Sequence, residues 1–293
     1  MSRGHVSGEG TVRIGIFKCG NIASSPLFEL LLDELADRQD IIIRTVTTGS
    51  KMRVEDVEEA LPKLLQFDPS VVISISPNPS ISGPMKARES LSKAGIPSII
   101  VSDSPGKRAK TELEKQGLGY IIITGDPLIG ARREFLDPIE MAVFNSNIIK
   151  VLAITGAYRA VHEEIDRVIN EVKVGSAVVL PRLVVDANTI RDRSDFKNPY
   201  AKAKALAAYH LTEKIAEINL QACFMEKEAT KYVLLAACAH EIAQVAARLA
   251  EDAREIEKCG DTLIRRPHSK AGRLKTKRKL MLPFEVEKGP REN

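Results

Sequence analysis

The stretch Val71–Pro84, VVISISPNPSISGP, decides the fold. Its first five residues suit a short buried strand, which the turn residues Ser76-Pro77-Asn78-Pro79 end. Gly83-Pro84 then predicts the start of a helix, because proline at the first helical position has no amide hydrogen bond to lose. The stretch therefore predicts a strand, a loop and a helix in succession.

Similar strand-to-loop transitions occur three more times in the first half of the chain. Apolar runs break off into loops of small and polar residues: Ile14–Phe17 into Lys18-Cys19-Gly20-Asn21, Ile99–Val101 into Ser102-Asp103-Ser104-Pro105-Gly106, and Tyr120–Ile123 into Thr124-Gly125-Asp126-Pro127. A further strand is expected at Ile41–Val46, and helices are expected at Leu27–Ala36, Val54–Gln66 and Met85–Lys93. This alternation is typical of a parallel sheet with helices on both faces, whose strand-end loops converge on one ligand-binding crevice.

The second half of the chain has a helical pattern. Apolar periodicity predicts helical structure over Val151–Val172, Ala201–Leu220 and Ala229–Lys258. The last helix should turn inward an apolar stripe that includes Val233, Ala237, Ala243, Ala247 and Ala250. One short strand, Leu183–Val185, should extend the sheet.

The predicted fold class is therefore α/β, with a mostly parallel Rossmann-like sheet, an α-helical bundle and a C-terminal arm. We assign residues 1–150 to the α/β domain, 151–264 to the helical bundle and 265–293 to the basic arm.

Composition excludes several classes of protein. The 293 residues are 44% hydrophobic and 28% charged, with a net charge of only +4, so the chain as a whole does not resemble a nucleic-acid-binding protein. No run approaches the roughly 18 uninterrupted apolar residues of a membrane span, and residues 1–11 lack a signal sequence. The four cysteines lack zinc-ligand spacing. We expect a cytoplasmic, soluble protein without a structural metal, bound neither to nucleic acid nor to a membrane.

The strand-end loops disfavour an ordinary nucleotide cofactor. The first loop lacks the Gly-x-Gly-x-x-Gly fingerprint of dinucleotide binding, and the chain contains no P-loop. Small residues in the loops would let a flat ligand approach the backbone, and the nearby lysines Lys18, Lys51, Lys86 and Lys107 suit an anionic one. The loops therefore favour a planar, acidic cofactor.

Two other groups of residues are candidates for ligand contacts. Gly130–Pro138 contains Arg132, Arg133, Glu134 and Asp137, which would form either a structural ion-pair cluster or contacts to a ligand. His240 and Glu241 lie within the last long helix, where a histidine is more often a hydrogen-bonded core residue than an acid or base.

These motifs together closely resemble the coenzyme F420-dependent methylenetetrahydromethanopterin dehydrogenases of archaea. The resemblance rests on Lys18-Cys19-Gly20-Asn21, Pro77-Asn78-Pro79, Gly83-Pro84, Asp103 with Pro105-Gly106, Gln116–Tyr120, Gly130–Pro138, Asn198–Ala201, Ala239-His240-Glu241 and Pro267-His268. It implies reversible hydride transfer between methylenetetrahydromethanopterin and coenzyme F420 in one-carbon metabolism. It also implies a homohexamer, built as a trimer of dimers, in which coenzyme F420 is a co-substrate and no prosthetic group or metal is tightly bound.

The implied chemistry suggests roles for particular residues. Loss of a hydride leaves the pterin cationic, so a nearby carboxylate would stabilise the transition state, and a lysine would stabilise charge on the deazaflavin. The candidate catalytic residues are Asp103, Lys18 and Glu134. The candidate coenzyme-binding residues are Cys19, Gly20, Asn21, Ser76, Pro77, Asn78, Pro79, Gly83, Ser104, Pro105, Gly106 and Lys107. The candidate pterin-binding residues are Asp126, Arg132, Arg133, Asp137, His240 and Glu241.

The chain departs from the family pattern at Ile75 and Ser76, where glycine is usual, and at Ser104, where alanine is common. Larger side chains at these positions would crowd the ring of the coenzyme. Two other functions remain open at this stage. One is a pterin dehydrogenase that uses a nicotinamide cofactor, and the other is a non-enzymatic nucleic-acid-binding protein that uses the basic tail.

Overall fold

Six parallel strands form the central sheet. The computed structural model describes residues 11–127 and 137–286. The strands are β1 (Val12–Lys18), β2 (Ile41–Thr47), β3 (Val71–Ile75), β4 (Ser98–Ser102), β5 (Gly119–Ile123) and β6 (Arg182–Val185). Their order is β2-β1-β3-β4-β5-β6, and β6 pairs in parallel with β5. The predicted α/β class and the predicted added strand are both confirmed.

Helices cover both faces of this sheet. They are α1 (Phe28–Leu32), α2 (Val54–Leu65), α3 (Ser82–Ala94), α4 (Lys110–Lys115), α5 (Pro138–Thr155), α6 (Ala157–Lys173), α7 (Ala187–Arg193), α8 (Pro199–Leu220) and α9 (Ala229–Cys259). On one face, Phe17 and Val72 pack against α2 and α3, while Ile100 packs against α4. On the other face, Ile73 and Ile121 join a single large core with residues of α1, α5, α6, α8 and α9. The side chains of successive strand residues alternate between these two cores, as the pleat of a strand requires.

Two helix predictions need correction. The first helix ends at Leu32 rather than Ala36, because the chain leaves helical geometry at Asp33 and the Arg38 guanidinium donates to the carbonyl of Leu32. The apolar stretch after residue 150 is divided by Gly156, whose φ of 98° is left-handed and separates α5 from α6 with a bend of 69°.

The inward stripe of α9 also differs from the prediction. Ala243, Ala247 and Ala250 are buried as expected, whereas Val233 and Ala237 are only partly buried. The buried stripe instead includes Tyr232 and Ala236, each one position before the predicted residue, and Ala239. Spacings of three and four residues fit both choices, so the contact with neighbouring helices decides between them.

By length and composition alone, α9 would suit a membrane span, with a mean hydropathy of 1.4 over its most apolar window. Its alanines Ala246, Ala247 and Ala250 instead pack with Val151 of α5 and Ala208 of α8 in one buried cluster. Core helices of globular proteins pass the same test, and the packing accounts for this buried part of the helix, whereas Leu234 and Val245 of α9 are exposed.

The segment after α9 folds back onto the α/β half. It contains β7 (Lys275–Thr276) and β8 (Glu285–Val286), which pair antiparallel. Three of its cations pair with carboxylates of the same chain, at distances of 3.0 Å for Arg266–Glu163, 2.7 Å for Lys270–Asp37 and 3.3 Å for Arg278–Asp195. The three-part domain division remains a prediction, and the largest core cluster crosses its first boundary, since it joins sheet residues to Leu152.

Candidate active site

A cavity of about 540 Å³ opens at the carboxyl ends of β3, β4 and β5. Its walls come from the loops after β2, β3, β4 and β5, and from the C-terminal part of α8 with the residues beyond it. The lining residues are Met52, Pro77, Asn78, Ile81, Asp103, Ser104, Pro105, Lys107, Arg108, Thr124, Glu213, Ala216, Glu217, Leu220 and Phe224. The position at the strand-end loops agrees with the sequence-based prediction of a crevice.

The β3 loop forms one wall and is held by hydrogen bonds to its neighbours. The Ser76 amide donates to the Val101 carbonyl at 3.0 Å, and the Ser102 hydroxyl donates to the Pro77 carbonyl at 3.2 Å. Asn78 accepts the Ser80 amide at 2.9 Å, which closes a turn before α3. Asn78 and Pro77 thereby face the cavity.

Two of the departures from the family pattern lie away from this cavity. Ile75 is buried in the large core, on the face of the sheet that packs against α5 and α6, and Ser76 is only 3% exposed. Neither residue lines the cavity, so their larger side chains do not narrow it, whereas Ser104 does line the wall.

The β4 loop forms the second wall. The Asp103 carboxylate accepts the Ser104 amide and thus caps the short 3₁₀ helix Ser104–Ala109. The Ser104 hydroxyl donates to the Thr124 carbonyl at 3.2 Å, which joins this loop to β5. A Cβ at Gly106 would lie 2.9 Å from Ser102, so only glycine lets the loop lie this close. Lys107 then stands exposed at the rim.

The first loop lies behind the cavity rather than in its wall. Of the residues that the structure describes as lining the cavity, none belongs to Lys18, Cys19, Gly20 or Asn21. Lys18 pairs with Glu29 at 2.7 Å, and burial raises the pKa of the Cys19 thiol to about 11. These residues do not line the described cavity, and their assignment to the coenzyme stays a prediction.

Gly20 and Gly83 pack against the loop after β2. A Cβ at Gly20, whose φ is 79°, would lie 2.5 Å from the sulfur of Met52, and one at Gly83 would lie 2.3 Å from the Met52 carbonyl. Both glycines therefore set the position of Met52, which lines the cavity. Lys51 and Lys86, two of the lysines expected near the ligand, do not line the cavity. Lys86 pairs with Glu58 at 2.7 Å, and Lys51 is exposed to solvent.

The third wall combines the end of β5 with α8. The Tyr209 hydroxyl donates to the Val185 carbonyl at 2.6 Å, and a Cβ at Gly125 would lie 2.4 Å from the Thr212 hydroxyl. Helix α8 is thus packed directly onto the β5 loop. This packing brings Glu213 to Thr124, whose hydroxyl donates to the Glu213 carboxylate at 2.6 Å.

Asp126 is fully buried and serves to join two loops. Its carboxylate accepts the amide of Ser24 at 3.1 Å and also the Ser24 hydroxyl. Burial raises the pKa of Asp126 to about 7, although the hydrogen bonds from Ser24 oppose the shift. Asp126 therefore ties the loop after β1 to the loop after β5, and it does not line the cavity.

The remaining candidates are dispersed. Asp137 caps α5 by accepting the amides of Ile139 and Glu140 at 2.8 Å each. His240 is buried against Phe144, with its Nδ1 atom 3.4 Å from Glu140, and burial lowers its pKa. Glu241 is exposed on the same helix. Arg132, Arg133 and Glu134 lie outside the described residues.

Nine of the fifteen described wall residues were not among the candidates from the sequence. They are Met52, Ile81, Arg108, Thr124, Glu213, Ala216, Glu217, Leu220 and Phe224. Helical spacing does place Tyr209, Thr212, Glu213 and Ala216 on one face of α8. Nothing local indicates, however, that this face meets β5, because the contact joins residues almost ninety positions apart.

The comparisons with known proteins cover nearly the whole chain. The family model described as methylene-5,6,7,8-tetrahydromethanopterin dehydrogenase matches residues 12–285. The chain is 52% identical over 270 residues to the F420-dependent methylenetetrahydromethanopterin dehydrogenase of Methanothermobacter thermautotrophicus, which covers 92% of this chain and 98% of that protein. It is 52% identical over 270 residues, with the same coverage, to the protein of that name from Archaeoglobus fulgidus.

A solved structure shares the fold. It is that of an F420-dependent methylene-tetrahydromethanopterin dehydrogenase in complex with methylene-tetrahydromethanopterin and coenzyme F420. The match has a TM-score of 0.91 and 43% identity, and it covers 94% of this chain and all of the other. From the model match and the identities together, this chain belongs to the methylene-5,6,7,8-tetrahydromethanopterin dehydrogenase family.

Proposed function

We propose that this protein is an oxidoreductase that reversibly transfers a hydride between methylenetetrahydromethanopterin and coenzyme F420. The observation that carries the proposal is the cavity at the strand ends, in a chain that matches over 94% of its length a structure solved with both compounds. The relatives that share half of its residues bear the name of the same coenzyme and the same pterin.

The walls of the cavity fit a planar, acidic coenzyme. Its volume of about 540 Å³ lies within the usual range of ligand pockets. Pro77, Ile81 and Pro105 offer apolar surface to a flat ring, while Lys107 and Arg108 place two exposed cations at the rim of the same wall. We assign these residues, with Asn78 and Ser104, to binding of the coenzyme.

The reaction does not require the protein to form a covalent bond with either substrate. Coenzyme F420, when bound, supplies the carbon that accepts or returns the hydride. Direct transfer needs no nucleophile and no general base on the protein, only a geometry that holds the two reacting carbons roughly 3–3.5 Å apart. The hydrogen bonds among the loops after β3, β4 and β5 make the walls rigid, and this rigidity maintains such a geometry.

We further propose that the protein works in the cytoplasm as a homohexamer, a trimer of dimers. Exposed apolar side chains on α5 and α9 support self-association, among them Ile139, Val143, Leu234 and Val245. Light scattering on a size-exclusion column tests this assignment, and a monomer at micromolar concentration would contradict it.

A cofactor competition tests the activity. We expect the purified protein, mixed with methylenetetrahydromethanopterin, to bleach the visible absorbance of oxidised coenzyme F420 and to leave NADP unreduced. The missing glycine fingerprint in the first loop is the reason for the second expectation. Reduction of NADP with no bleaching of coenzyme F420 would refute the proposal.

A further inference from the structure

Charged side chains of both signs line the cavity. Lys107 and Arg108 stand on the β4 wall, and Glu213 and Glu217 stand on the α8 wall. We propose that Glu213 is a catalytic residue, whose carboxylate faces the pterin and stabilises the positive charge that the pterin acquires as it loses the hydride. This inference rests on the proposed function, and it assigns the acidic wall to the pterin and the basic wall to the coenzyme.

Glu213 is held in place by its neighbours. Its Oε1 atom accepts the Thr124 hydroxyl at 2.6 Å, and its side chain is 26% exposed. The packing of Tyr209 and Thr212 onto the β5 loop fixes the helix on which Glu213 sits. The second oxygen, Oε2, lies 3.4 Å from Nδ1 of the largely exposed His210. A preorganised carboxylate of this kind costs no reorganisation during the reaction.

The other carboxylates near the strand ends are committed to different contacts. Glu217 is 69% exposed and pairs with Lys214 at 2.7 Å, so solvent and an ammonium group neutralise it. Asp126 is buried against Ser24, and Asp103 caps the 3₁₀ helix of its own loop. Glu213 combines a place in the wall, partial shelter from solvent and a hydrogen bond from a neutral hydroxyl. Within the described residues no Lys or Arg forms an ion pair with Glu213, and its one ion-pair neighbour there is the largely exposed His210.

The hydride transfer balances in atoms and charge without any proton transfer to or from Glu213. The C–H bond of the methylene carbon breaks, and the hydrogen leaves with the electron pair to form a C–H bond on the coenzyme. The pterin is left with one positive charge shared by two nitrogens, and the coenzyme takes up one proton from solvent. Because the positive charge is absent from the starting pterin, Glu213 stabilises the transition state more than the ground state and raises the rate.

The test compares Glu213→Gln with the wild-type protein and with Glu255→Gln. The amide keeps the size of the side chain and a hydrogen bond to Thr124 but removes the charge. Glu255 is an exposed glutamate that pairs with Lys258 on α9 and does not line the cavity, so its variant controls for loss of a surface charge. We expect Glu213→Gln to lower kcat about 10²-fold and Glu255→Gln to change it less than about twofold.

A binding measurement separates this role from a structural one. We expect Glu213→Gln to weaken binding of the cationic methenyl pterin about tenfold more than binding of the neutral methylene pterin, with the Kd of coenzyme F420 unchanged. Should the Gln variant fail to fold, Thr124→Val frees the carboxylate from its anchor, and we expect it to lower kcat about tenfold.

The outcomes are distinguishable. A wild-type protein that does not reduce coenzyme F420 refutes the proposed function itself. An active wild-type protein overturns only the assignment of Glu213 if the folded Gln variant keeps its kcat within about twofold and binds the two pterins in the wild-type ratio. If that variant does not fold, an unchanged kcat in Thr124→Val overturns it.

Discussion

His268 binds the C-terminal segment to the residues after α1 and to α6 through two carboxylates. Its Nδ1 atom lies 2.9 Å from Glu34 after α1, and its Nε2 atom lies 2.8 Å from Asp166 of α6. His162 contacts the ring edge-on, its Nε2 atom lies 3.3 Å from Asp166, and burial lowers the pKa of His162. The imidazolium of His268 contacts both carboxylates. We predict that replacing His268 with glutamine destabilises the protein in a pH-dependent way.

The size of the effect follows from the pKa of His268. Burial alone would lower that pKa, but the hydrogen bonds to Asp166 and Glu34 outweigh burial and raise it from 6.5 to about 9. The side chain is 0% exposed, so solvent does not screen the interaction, and the displacement corresponds to about 3 kcal/mol. The same contact lowers the pKa of Glu34 to about 2. Both pKa shifts describe one interaction, so its free energy is counted only once.

The sign of the pH dependence follows from linkage. The raised pKa of His268 gives stability that is fully present below pH 6.5 and is lost as the pH rises through about 9. Glu34 gives stability above pH 4.5 that is lost as the pH falls through about 2. The contact is therefore strongest between pH 4.5 and 6.5, and His268→Gln should cost about 3–4 kcal/mol there.

Urea unfolding at two pH values measures this. We expect the difference in unfolding free energy between wild type and His268→Gln to shrink by about 3 kcal/mol from pH 6 to pH 9.5. Lys270→Gln serves as the control, because Lys270 belongs to the same segment but forms a solvent-exposed pair with Asp37. This substitution should change the unfolding free energy much less than His268→Gln does. An equal cost of His268→Gln at both pH values would refute the reasoning.

Three further perturbations probe the site. Gly83→Ala would push a Cβ against the Met52 carbonyl, so we expect the free energy of unfolding in urea to fall by about 1–3 kcal/mol and the KM for coenzyme F420 to rise. Unchanged values of both would show that the loop after β2 moves aside without cost. Ser24→Ala removes a hydrogen bond to the buried Asp126 and should cost about 1–3 kcal/mol, which a thermal melt detects and an unchanged Tm would disprove. Lys107→Gln should raise the KM for coenzyme F420 about threefold to tenfold at low salt and leave kcat unaltered, with the difference disappearing near 1 M salt; a salt-independent change would argue against an electrostatic role.

Local sequence was sufficient to predict the strands and the loops that end them. The strand Val71–Ile75 was predicted with its observed bounds, and the start of α2 at Val54 was also correct. The strand preference of β-branched residues and the turn preferences of glycine and proline act over a few residues, so strands and turns can be predicted from local sequence alone. Helix ends were less predictable: α1 ends at Leu32, whose carbonyl accepts a hydrogen bond from the Arg38 guanidinium.

The direction of individual side chains required the folded chain. Asp126 was a candidate pterin ligand by its place in a strand-end loop, yet Ser24, more than a hundred residues earlier, holds it in the interior. Lys18 was a candidate cation for the coenzyme, and in the fold it pairs with Glu29 of α1, eleven residues later. Residue type indicated the chemistry available in each loop and left the choice of partner open.

The sequence by itself determined the parallel sheet, the edge at which ligands bind and, through its motifs, the family. Only the tertiary structure decided which side chains form the walls of the cavity, how α8 brings Glu213 to Thr124, and which carboxylates pair with Arg266, Lys270 and Arg278 of the basic tail. The physical reason is range: strand and turn preferences depend on neighbouring residues, whereas cavity walls and ion pairs depend on packing between segments far apart in the chain.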